Sequence, residues 1–506
     1  MPIRVGEQLD IADVVAVARG EPVELSAAAA DRMRTARAVV DEKVASGETV
    51  YGVTTGIGSL ATVRIRPEQA ARLQFDIVRS HATAVGPPLP REEARAMLLL
   101  RAHVLALGYS GVRPLIVERM IEMLNRDLIP AVPQQGSLGA SGDLAPLAHL
   151  ALPLLGLGEI LTADGAASAA GLMGDLGPIA LEPKEGLALV NGTQGMLAIG
   201  TLALARAEAL SRAADVAAAM SVEALLGTDR AFDERLQRLR PHPGQAASAA
   251  NLRRLMEGSE IAASHRESGH LVQDAYSLRC APQVHGATRD MAAHVREVLG
   301  REIGAVSDNP VVLPDNREVL SGGNFHGQPV ALVLDALAAA VVPMASISER
   351  RLYRLLDPSL SNGLPPFLVR ESGLNSGYML VQYTAASLVS ESKTLAHPAS
   401  VDSITSSAGQ EDHVSMGMTA ARHARECVAN AETVVALEAL AAAQALDLRA
   451  PLTPGRGTRA ALAAVREAVA PLDGDREVRL DMAAVVGLVR SGRLVEAVAA
   501  EIGELG

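Results

Sequence analysis

The chain has 506 residues, of which 58 are acidic and 46 are basic, so that it carries a net charge of −12 at pH 7. The excess of acidic residues argues against a nucleic-acid-binding protein, which would carry a basic surface. Hydrophobic residues make up 49% of the chain, and a chain of this length can bury a large core. It has no Trp, four Phe and six Tyr, so aliphatic residues and Ala must fill that core, which favours helix.

Neither export nor a membrane span is predicted. The first twenty residues lack the apolar centre of a signal peptide. The most apolar run, residues 328–347, contains Asp335 and Pro343, and we interpret it as a buried helix of a large bundle. Cys280 and Cys427 have neither metal-ligand nor redox spacing. Together these features predict a cytoplasmic protein with two reduced thiols.

In chain order, the pattern predicts a helix, a short strand, further helices and then a loop rich in Gly and Pro. These first elements are a helix at 26–48, a strand at 49–54, two or more helices at 90–127 and a loop at 128–146. Long helices follow, at 193–227, 246–264, 284–302, 327–357, 375–396, 415–447, 456–470 and 480–504, with one more strand signal at 310–320. We therefore predict a mainly α fold with a loop-rich N-terminal domain, residues 1–195, and a long-helix bundle with C-terminal helices, residues 196–506.

The segment QQGSLGASGDLAPLAHL, residues 134–150, overlaps the end of this loop. Its Ser141 resembles a catalytic nucleophile that would need a general base. The nucleophile elbow requires G-x-S-x-G, but Asp143 occupies the position of its last glycine. A phosphate-binding loop requires a lysine that is missing here. A structural loop with Asp143 as the N-cap of a helix starting at Leu144 therefore remains open.

A further interpretation makes Ser141 the precursor of an electrophile. In a tightly bent loop, the amide nitrogen of Gly142 could attack the carbonyl carbon of Ala140, since glycine has no Cβ to block that approach. Loss of two waters, one including the serine hydroxyl, would leave an exocyclic methylene on a five-membered imidazolone ring. The residue types permit this chemistry without establishing it.

The segment GSLGASGDLAPLAHL resembles the electrophile loop of the aromatic amino acid ammonia-lyases and aminomutases, which make 4-methylideneimidazol-5-one (MIO) from an Ala-Ser-Gly triplet. Ordered matches extend over most of the chain: YGVTTGIG at 51–58, RSHATAVG at 79–86, NGTQ at 191–194, QDAYSLRC at 273–280, SDNP at 307–310, GGNFH at 322–326 and QEDHVSMG at 410–417. The resemblance implies that MIO forms from Ala140, Ser141 and Gly142, without a metal or an external cofactor. It also implies a homotetramer whose active sites each draw on more than one subunit.

Within that family, the sequence resembles the branch that acts on histidine. Ser80-His81 occupies the position of a Ser-His pair in that branch, where phenylalanine lyases tend to carry Phe-Leu and tyrosine lyases His-Leu. The implied reaction is elimination of ammonia from L-histidine to give trans-urocanate. Thr54 and Gly409 depart from the branch pattern, each standing where Asn is usual. A tyrosine or phenylalanine ammonia-lyase, and an aromatic 2,3-aminomutase that re-adds ammonia at the β-carbon, therefore remain alternatives.

Outside the Ala-Ser-Gly triplet, the resemblance assigns catalytic roles to Tyr51, Tyr276 and Glu411, and a substrate-binding role to His81. Tyr51 is the predicted general base for the β-proton, and it would need a site that favours phenolate. His81 is expected to contact the substrate imidazole. Glu411 is expected to be the second partner of that ring or a proton acceptor, and a helix-capping role is its alternative. Tyr276 is expected to lie near the MIO group.

Four further residues are predicted to bind the substrate or the ring. Arg279 suits the substrate carboxylate because its planar guanidinium can bind both oxygens, although a surface ion pair is the plain alternative. Asn191 and Gln273 would hydrogen-bond the imidazolone oxygen or the amino acid. Phe325 would shape the pocket, or serve simply as a core residue.

Two rivals come from other functional classes. A metal hydrolase would use His265, Glu267 and His270, or Asp412 and His413, but no H-E-x-x-H register is present. A non-enzymatic helical scaffold would instead have an intact mass equal to the encoded mass. The MIO interpretation requires a mass lower by two waters.

Overall fold

The computed structural model describes residues 2–268 and 272–506, so His270 lies outside the described residues. Helices dominate both ranges, and the prediction of a mainly α fold with long helices is confirmed. The α-helices are α1 (Ile11–Ala18), α2 (Ala27–Ser46), α3 (Pro67–His81), α4 (Arg91–Ala106), α5 (Pro114–Asn125), α6 (Leu144–Ala151), α7 (Ala169–Leu172), α8 (Glu185–Val190), α9 (Gln194–Ala224), α10 (Glu234–Leu239), α11 (Pro243–Leu255), α12 (Glu260–Ser264), α13 (Tyr276–Arg279), α14 (Ala281–Ile303), α15 (Gln328–Leu356), α16 (Met379–Leu395), α17 (Gly417–Asp447), α18 (Arg456–Ala468), α19 (Val478–Arg490) and α20 (Arg493–Ile502).

The strands are short and pair two by two. They are β1 (Ile3–Val5), β2 (Val23–Leu25), β3 (Val85–Pro88), β4 (Pro133–Gln135), β5 (Glu159–Thr162), β6 (Gly165–Ser168), β7 (Val311–Leu313) and β8 (Glu318–Leu320). β1 and β2 are parallel, with Ile3 opposite Val23, whereas the other three pairs are antiparallel. β7 and β8 form a hairpin with Val311 opposite Leu320, which confirms the strand signal at 310–320.

The chain divides into two compact units. Unit 1 comprises residues 1–203, 296–335 and 398–422, and unit 2 comprises residues 204–295, 336–397 and 423–506. The prediction gave two domains, each one continuous stretch of chain, with a boundary at residue 195. Unit 1, in contrast, also includes two segments from later in the chain. Those segments carry the motifs SDNP, GGNFH and QEDHVSMG, so unit 1 combines them with the N-terminal loops.

Unit 1 is organised around α4, whose residues from Glu93 to Ala106 are all buried. A smaller cluster joins α2 to β7 through Val39, Val40 and Val312, which are at most 1% exposed. Val50 and Val53 pack into the same cluster. The loop that begins at residue 49 is therefore anchored by its valines, which fixes the position of Tyr51 between them.

The strand predicted at 49–54 is wrong, because this segment forms a turn. The amides of Val53 and Thr54 both donate to the Val50 carbonyl, at 3.2 and 3.0 Å. The Thr54 hydroxyl accepts the Val50 amide at 2.8 Å and donates to the Glu48 carbonyl at 2.7 Å. The β-branched residues predicted a strand. The hydrogen bonds of the Thr54 hydroxyl to the backbone compete with strand pairing, and they stabilise the turn instead.

Two of the long predicted helices are each broken in two. The helix predicted at 246–264 is divided into α11 and α12 at Gly258, whose φ is +76°, and the Ser259 hydroxyl caps α12 by accepting the Ala262 amide at 3.0 Å. The helix predicted at 480–504 is interrupted by Gly492, with φ +82°, between α19 and α20. Left-handed glycines end helices readily because they carry no Cβ.

Unit 2 is helical, with none of the strands of the described ranges. Its interior contains a buried ion pair in which the Arg351 guanidinium contacts both Glu438 oxygens, at 2.5 and 2.8 Å. The hydroxyls of Ser221 and Ser348 also donate to Glu438. Each oxygen of the Glu438 carboxylate thus accepts two hydrogen bonds, which offset the cost of burying its charge.

In the described chain, α15 is the one helix that is long and apolar enough to cross a membrane. Of its most apolar stretch, 61% is buried inside the protein, as in the core helix of a folded domain.

Candidate active site

The loop at 139–142 is folded back on itself. Ser141 and Gly142 both have left-handed backbones, with φ +51° and +78°, and Gly139 pairs with Gly142 as an antiparallel bridge. A Cβ placed on Gly142 would lie 2.1 Å from the carbonyl oxygen of Gly192. Only glycine fits at position 142, and the left-handed conformation of a serine is a local strain that the surroundings must hold.

Backbone and buried side-chain bonds hold this loop. The Asp143 amide donates to the Gly192 carbonyl at 2.7 Å, and the Gly192 amide donates to the Ser141 carbonyl at 3.3 Å. Behind them, the fully buried Arg101 guanidinium donates to the Asn191 carbonyl at 2.6 Å. Burial lowers the pKa of Arg101 to about 10, which still leaves it charged at neutral pH.

The Asp143 carboxylate does not cap α6, although Asp143 directly precedes Leu144. It accepts hydrogen bonds from the Ser137 hydroxyl at 2.9 Å and from the Met196 amide at 2.8 Å. Burial raises the pKa of Asp143 to about 6, and these hydrogen bonds oppose the shift. The side chain therefore ties the loop to the start of α9, and the interpretation as a simple N-cap is wrong.

Tyr51 faces the loop across a cavity of about 490 Å³, which is also lined by Ala140, Ser141, Phe325 and Glu411. The phenol oxygen accepts a hydrogen bond from the backbone amide of Gly58 at 3.0 Å. This hydrogen bond holds the ring in one orientation and leaves a preorganised donor at the phenol oxygen.

His81 and Glu411 line an adjoining cavity of about 230 Å³, together with Ala140 and Gly142. The His81 Nδ1 atom lies 2.8 Å from the Ile77 carbonyl oxygen. Because a carbonyl only accepts, we assign the proton of the neutral ring to Nδ1, which leaves Nε2 as an acceptor. The pocket thus offers two acceptors, the His81 nitrogen and the Glu411 carboxylate.

The two cavities share Ala140 and Glu411 in their walls, and together they are the candidate site. The predicted residues that unit 1 brings to it are Tyr51, His81, Ala140, Ser141, Gly142, Phe325 and Glu411. Asn191 is 3% exposed and lies next to Gly192, and its side-chain oxygen has no partner among residues 2–268 and 272–506.

Gln273, Tyr276 and Arg279 belong to unit 2 and do not line these cavities. They form a cluster of their own, in which the Arg279 guanidinium lies 4.5 Å from the centre of the Tyr276 ring. The Gln273 amide, assigned with its oxygen towards Arg279, accepts from that guanidinium at 2.5–3.1 Å. Tyr276 is 71% exposed, so the cluster is open to solvent in a single chain.

Sequence reasoning missed several residues of the site. Ser406 lines the smaller cavity and bonds Glu411, yet a serine in a polar loop gives no signal. His326 and His413, which were not predicted to belong to this site, both line the larger cavity with nearly parallel rings 5.9 Å apart. In the part of the chain that the structure describes, no three His, Cys, Asp or Glu side chains are grouped as metal ligands would be.

Comparison with known proteins identifies the family of this chain. The family model described as aromatic amino acid lyase matches residues 9–467. The chain belongs to the aromatic amino acid lyase family. Its family match includes all the residues discussed above as site residues, and the family predicted from the motifs is confirmed.

Individual members of the aromatic amino acid lyase family match over nearly the whole chain. A histidine ammonia-lyase of Anaeromyxobacter sp. (strain K) is 56% identical over 500 residues, which are 97% of this chain and 98% of that protein. The crystal structure of histidine ammonia-lyase from Trypanosoma cruzi has a TM-score of 0.91 at 42% identity, covering 99% of this chain and 96% of that one. A tyrosine aminomutase from Streptomyces globisporus has a TM-score of 0.95 at 37% identity, with full coverage of both chains.

Proposed function

We propose that this protein is a histidine ammonia-lyase, which eliminates ammonia from L-histidine to give trans-urocanate. One observation carries the proposal: His81 and Glu411 face the same cavity as Ala140 and Gly142. The pair offers hydrogen-bond acceptors to the two N–H groups of a protonated imidazole ring, at a site beside the strained loop. The similarity to histidine ammonia-lyases supports the same assignment.

The electrophile of this reaction would be MIO, made by the chain itself. The Gly142 nitrogen forms a bond to the Ala140 carbonyl carbon, whose oxygen leaves as water, and the Ser141 hydroxyl leaves as the second water. The fold suits this closure, because the backbone is bent at positive φ and position 142 admits no side chain. The Asn191 side-chain oxygen next to this loop has no partner in the described part of the chain, and it also suits a further polar group there. Once formed, the ring would supply an electrophilic methylene for the substrate amine.

Tyr51 would remove the β-proton. Its oxygen already accepts the Gly58 amide, so a phenolate would have a preorganised donor. Glu411 borders both cavities and would hold the substrate ring while Tyr51 acts on the adjacent carbon. Phe325, in the wall of the larger cavity, would pack against the substrate and exclude water.

The carboxylate of the substrate would be bound by Arg279, supplied by another subunit. In this cluster of Gln273, Tyr276 and Arg279, the Tyr276 ring is exposed in the single chain, and none of the three residues lines either cavity. We therefore propose a homotetramer in which the cluster of one chain completes the cavity of another. Tyr276 would then approach the MIO ring, and Gln273 would orient the guanidinium.

Mixing two inactive variants tests this sharing. We expect Ser141→Ala and Arg279→Met each to be inactive as pure proteins, since one lacks the electrophile and the other the carboxylate contact. Co-expression should restore activity in about a quarter of the sites, if chains mix at random in a closed oligomer. Urocanate production by the purified mixed oligomer is the measurement. An inactive mixed oligomer would show that each site takes both residues from one chain.

The protein would act in the cytoplasm. Both of its cysteines, Cys280 and Cys427, are free thiols, as expected in a reducing compartment.

An aromatic aminomutase is the second candidate, because the tyrosine aminomutase of Streptomyces globisporus matches the whole fold. Such an enzyme would use the same electrophile and return ammonia to the β-carbon. The acceptor pair His81 and Glu411 favours a protonated imidazole, which has two donors, over a phenol, which has one, or a benzene ring, which has none.

A product assay tests the assignment. The protein is incubated separately with L-histidine, L-phenylalanine and L-tyrosine, and the ultraviolet absorbance of the acrylate products is followed. We expect urocanate from histidine and far slower formation of cinnamate or coumarate. Cinnamate or coumarate without urocanate would contradict the histidine assignment, and accumulation of a β-amino acid would identify an aminomutase.

A further inference from the structure

We propose that Ser406 is a positioning residue that fixes the Glu411 carboxylate, so that the pocket selects a substrate ring bearing an N–H group. The inference rests on the proposed function, and it assigns a determinant of specificity outside the family motif QEDHVSMG.

Three hydrogen bonds connect these two residues. The Ser406 hydroxyl donates to Glu411 Oε2 at 2.7 Å. The Ser406 amide donates to the Glu411 carbonyl at 2.9 Å, and the Glu411 amide donates to the Ser406 carbonyl at 3.3 Å. The backbone pair brings the two side chains to the same side of a narrow bridge, and the hydroxyl then removes the rotational freedom of the carboxylate.

The turn between them is built to keep this pairing. Ser407, Ala408 and Gly409 all have left-handed backbones, with φ +48°, +52° and +87°. Two of these three are not glycines, so the conformation is costly and persists because the bridge closes the turn. The same turn approaches the tyrosine loop, since a Cβ on Gly58 would lie 2.9 Å from the Ser407 hydroxyl. The Glu411 carboxylate is thus held by a rigid segment that is also packed beside the loop of the general base.

The two oxygens of the Glu411 carboxylate have different partners, and this difference defines the role of Ser406. Oε2 is occupied by the serine hydroxyl, whereas Oε1 has no hydrogen bond from any residue in the ranges 2–268 and 272–506. Both residues line the cavity that contains His81. Oε1 is therefore the oxygen presented to a ligand, as the partner of the His81 Nε2 acceptor. Without the hydroxyl, the carboxylate can rotate, and the preorganised acceptor is lost.

The test compares Ser406→Ala with Ser406→Thr, which retains a hydroxyl at the same position. For Ser406→Ala we expect the KM for L-histidine to rise about 10-fold or more, the loss of one hydrogen bond to a charged group. The kcat should change much less, because the hydroxyl touches neither the electrophile nor Tyr51. Ser406→Thr should restore KM to within a few-fold of the wild-type value.

A second readout separates positioning from a general structural defect. L-Phenylalanine has no ring N–H, so its inhibition constant against histidine turnover should be unchanged in Ser406→Ala, whereas damage to the pocket would weaken both ligands. Ser407→Ala is the matched control, since it removes a hydroxyl from the same turn without touching the carboxylate. Intact mass verifies that all variants carry the loss of two waters.

The inference is overturned if Ser406→Ala keeps the wild-type KM, if it lowers kcat alone, or if threonine fails to rescue it. A wild-type protein that makes no urocanate would instead refute the proposed function itself. These two failures are distinguishable, because the second appears before any variant is measured.

Discussion

The Ser141→Ala variant is expected to lose more than about 10³-fold in kcat, because no electrophile can form without the serine hydroxyl as a leaving group. Its intact mass should equal the encoded mass of the variant, whereas the wild-type mass should be lower by two waters. Urocanate absorbance and mass spectrometry of the same preparations measure both quantities.

The fold of Ser141→Ala should survive, since its backbone neighbours are held by the bonds to Gly192. A similar thermal midpoint and oligomeric state are the controls. Retained activity at the encoded mass would show that the reaction needs no MIO, and it would return Ser141 to the status of a structural loop residue.

The Tyr51→Phe variant is expected to lose about 10²–10⁴-fold in kcat, the usual contribution of a positioned general base. Phenylalanine keeps the ring that packs in the tyrosine loop and removes the oxygen that accepts the Gly58 amide. The MIO mass loss should remain complete, and KM should change little. Steady-state kinetics with L-histidine, together with intact mass, are the measurements.

Tyr109→Phe is the matched control for Tyr51→Phe. It removes a phenol hydroxyl from the same unit at a residue that lines neither cavity, so its kinetics should match those of the wild type. If Tyr51→Phe raised KM and left kcat intact, Tyr51 would be a binding residue. If it abolished the mass loss, Tyr51 would act in ring closure.

The helices of this protein could largely be predicted from sequence, because their apolar faces are long and glycine or proline marks their ends. α2, α9, α14, α15 and α17 each begin and end within a few residues of the predicted bounds. The breaks at Gly258 and Gly492 escaped prediction, since one glycine inside an apolar pattern is compatible with a continuing helix. The strand prediction at 49–54 failed because β-branched residues favour strands, whereas the valines of this segment are buried from within a turn.

Only those residues of the candidate site that lie in family motifs could be predicted from the sequence. Tyr51, His81 and Glu411 stand in recognisable segments, but their approach to Ser141 depends on tertiary packing that no local pattern encodes. Asp143 suggested a helix cap, and its actual partner, the Met196 amide, is 53 residues away. Ser406 gave no signal because its importance comes from one hydrogen bond to Glu411.

The contact between Gly142 and Gly192 links the proposed ring closure to native folding. The bend at Gly142 is held against Gly192, which lies 50 positions away along the chain. If the ring closes as proposed, closure follows native packing, and the covalent change outlasts any later unfolding. The mass spectrum of a denatured sample would then count the molecules that had once folded correctly. Chains that never reached the native packing would keep their two waters.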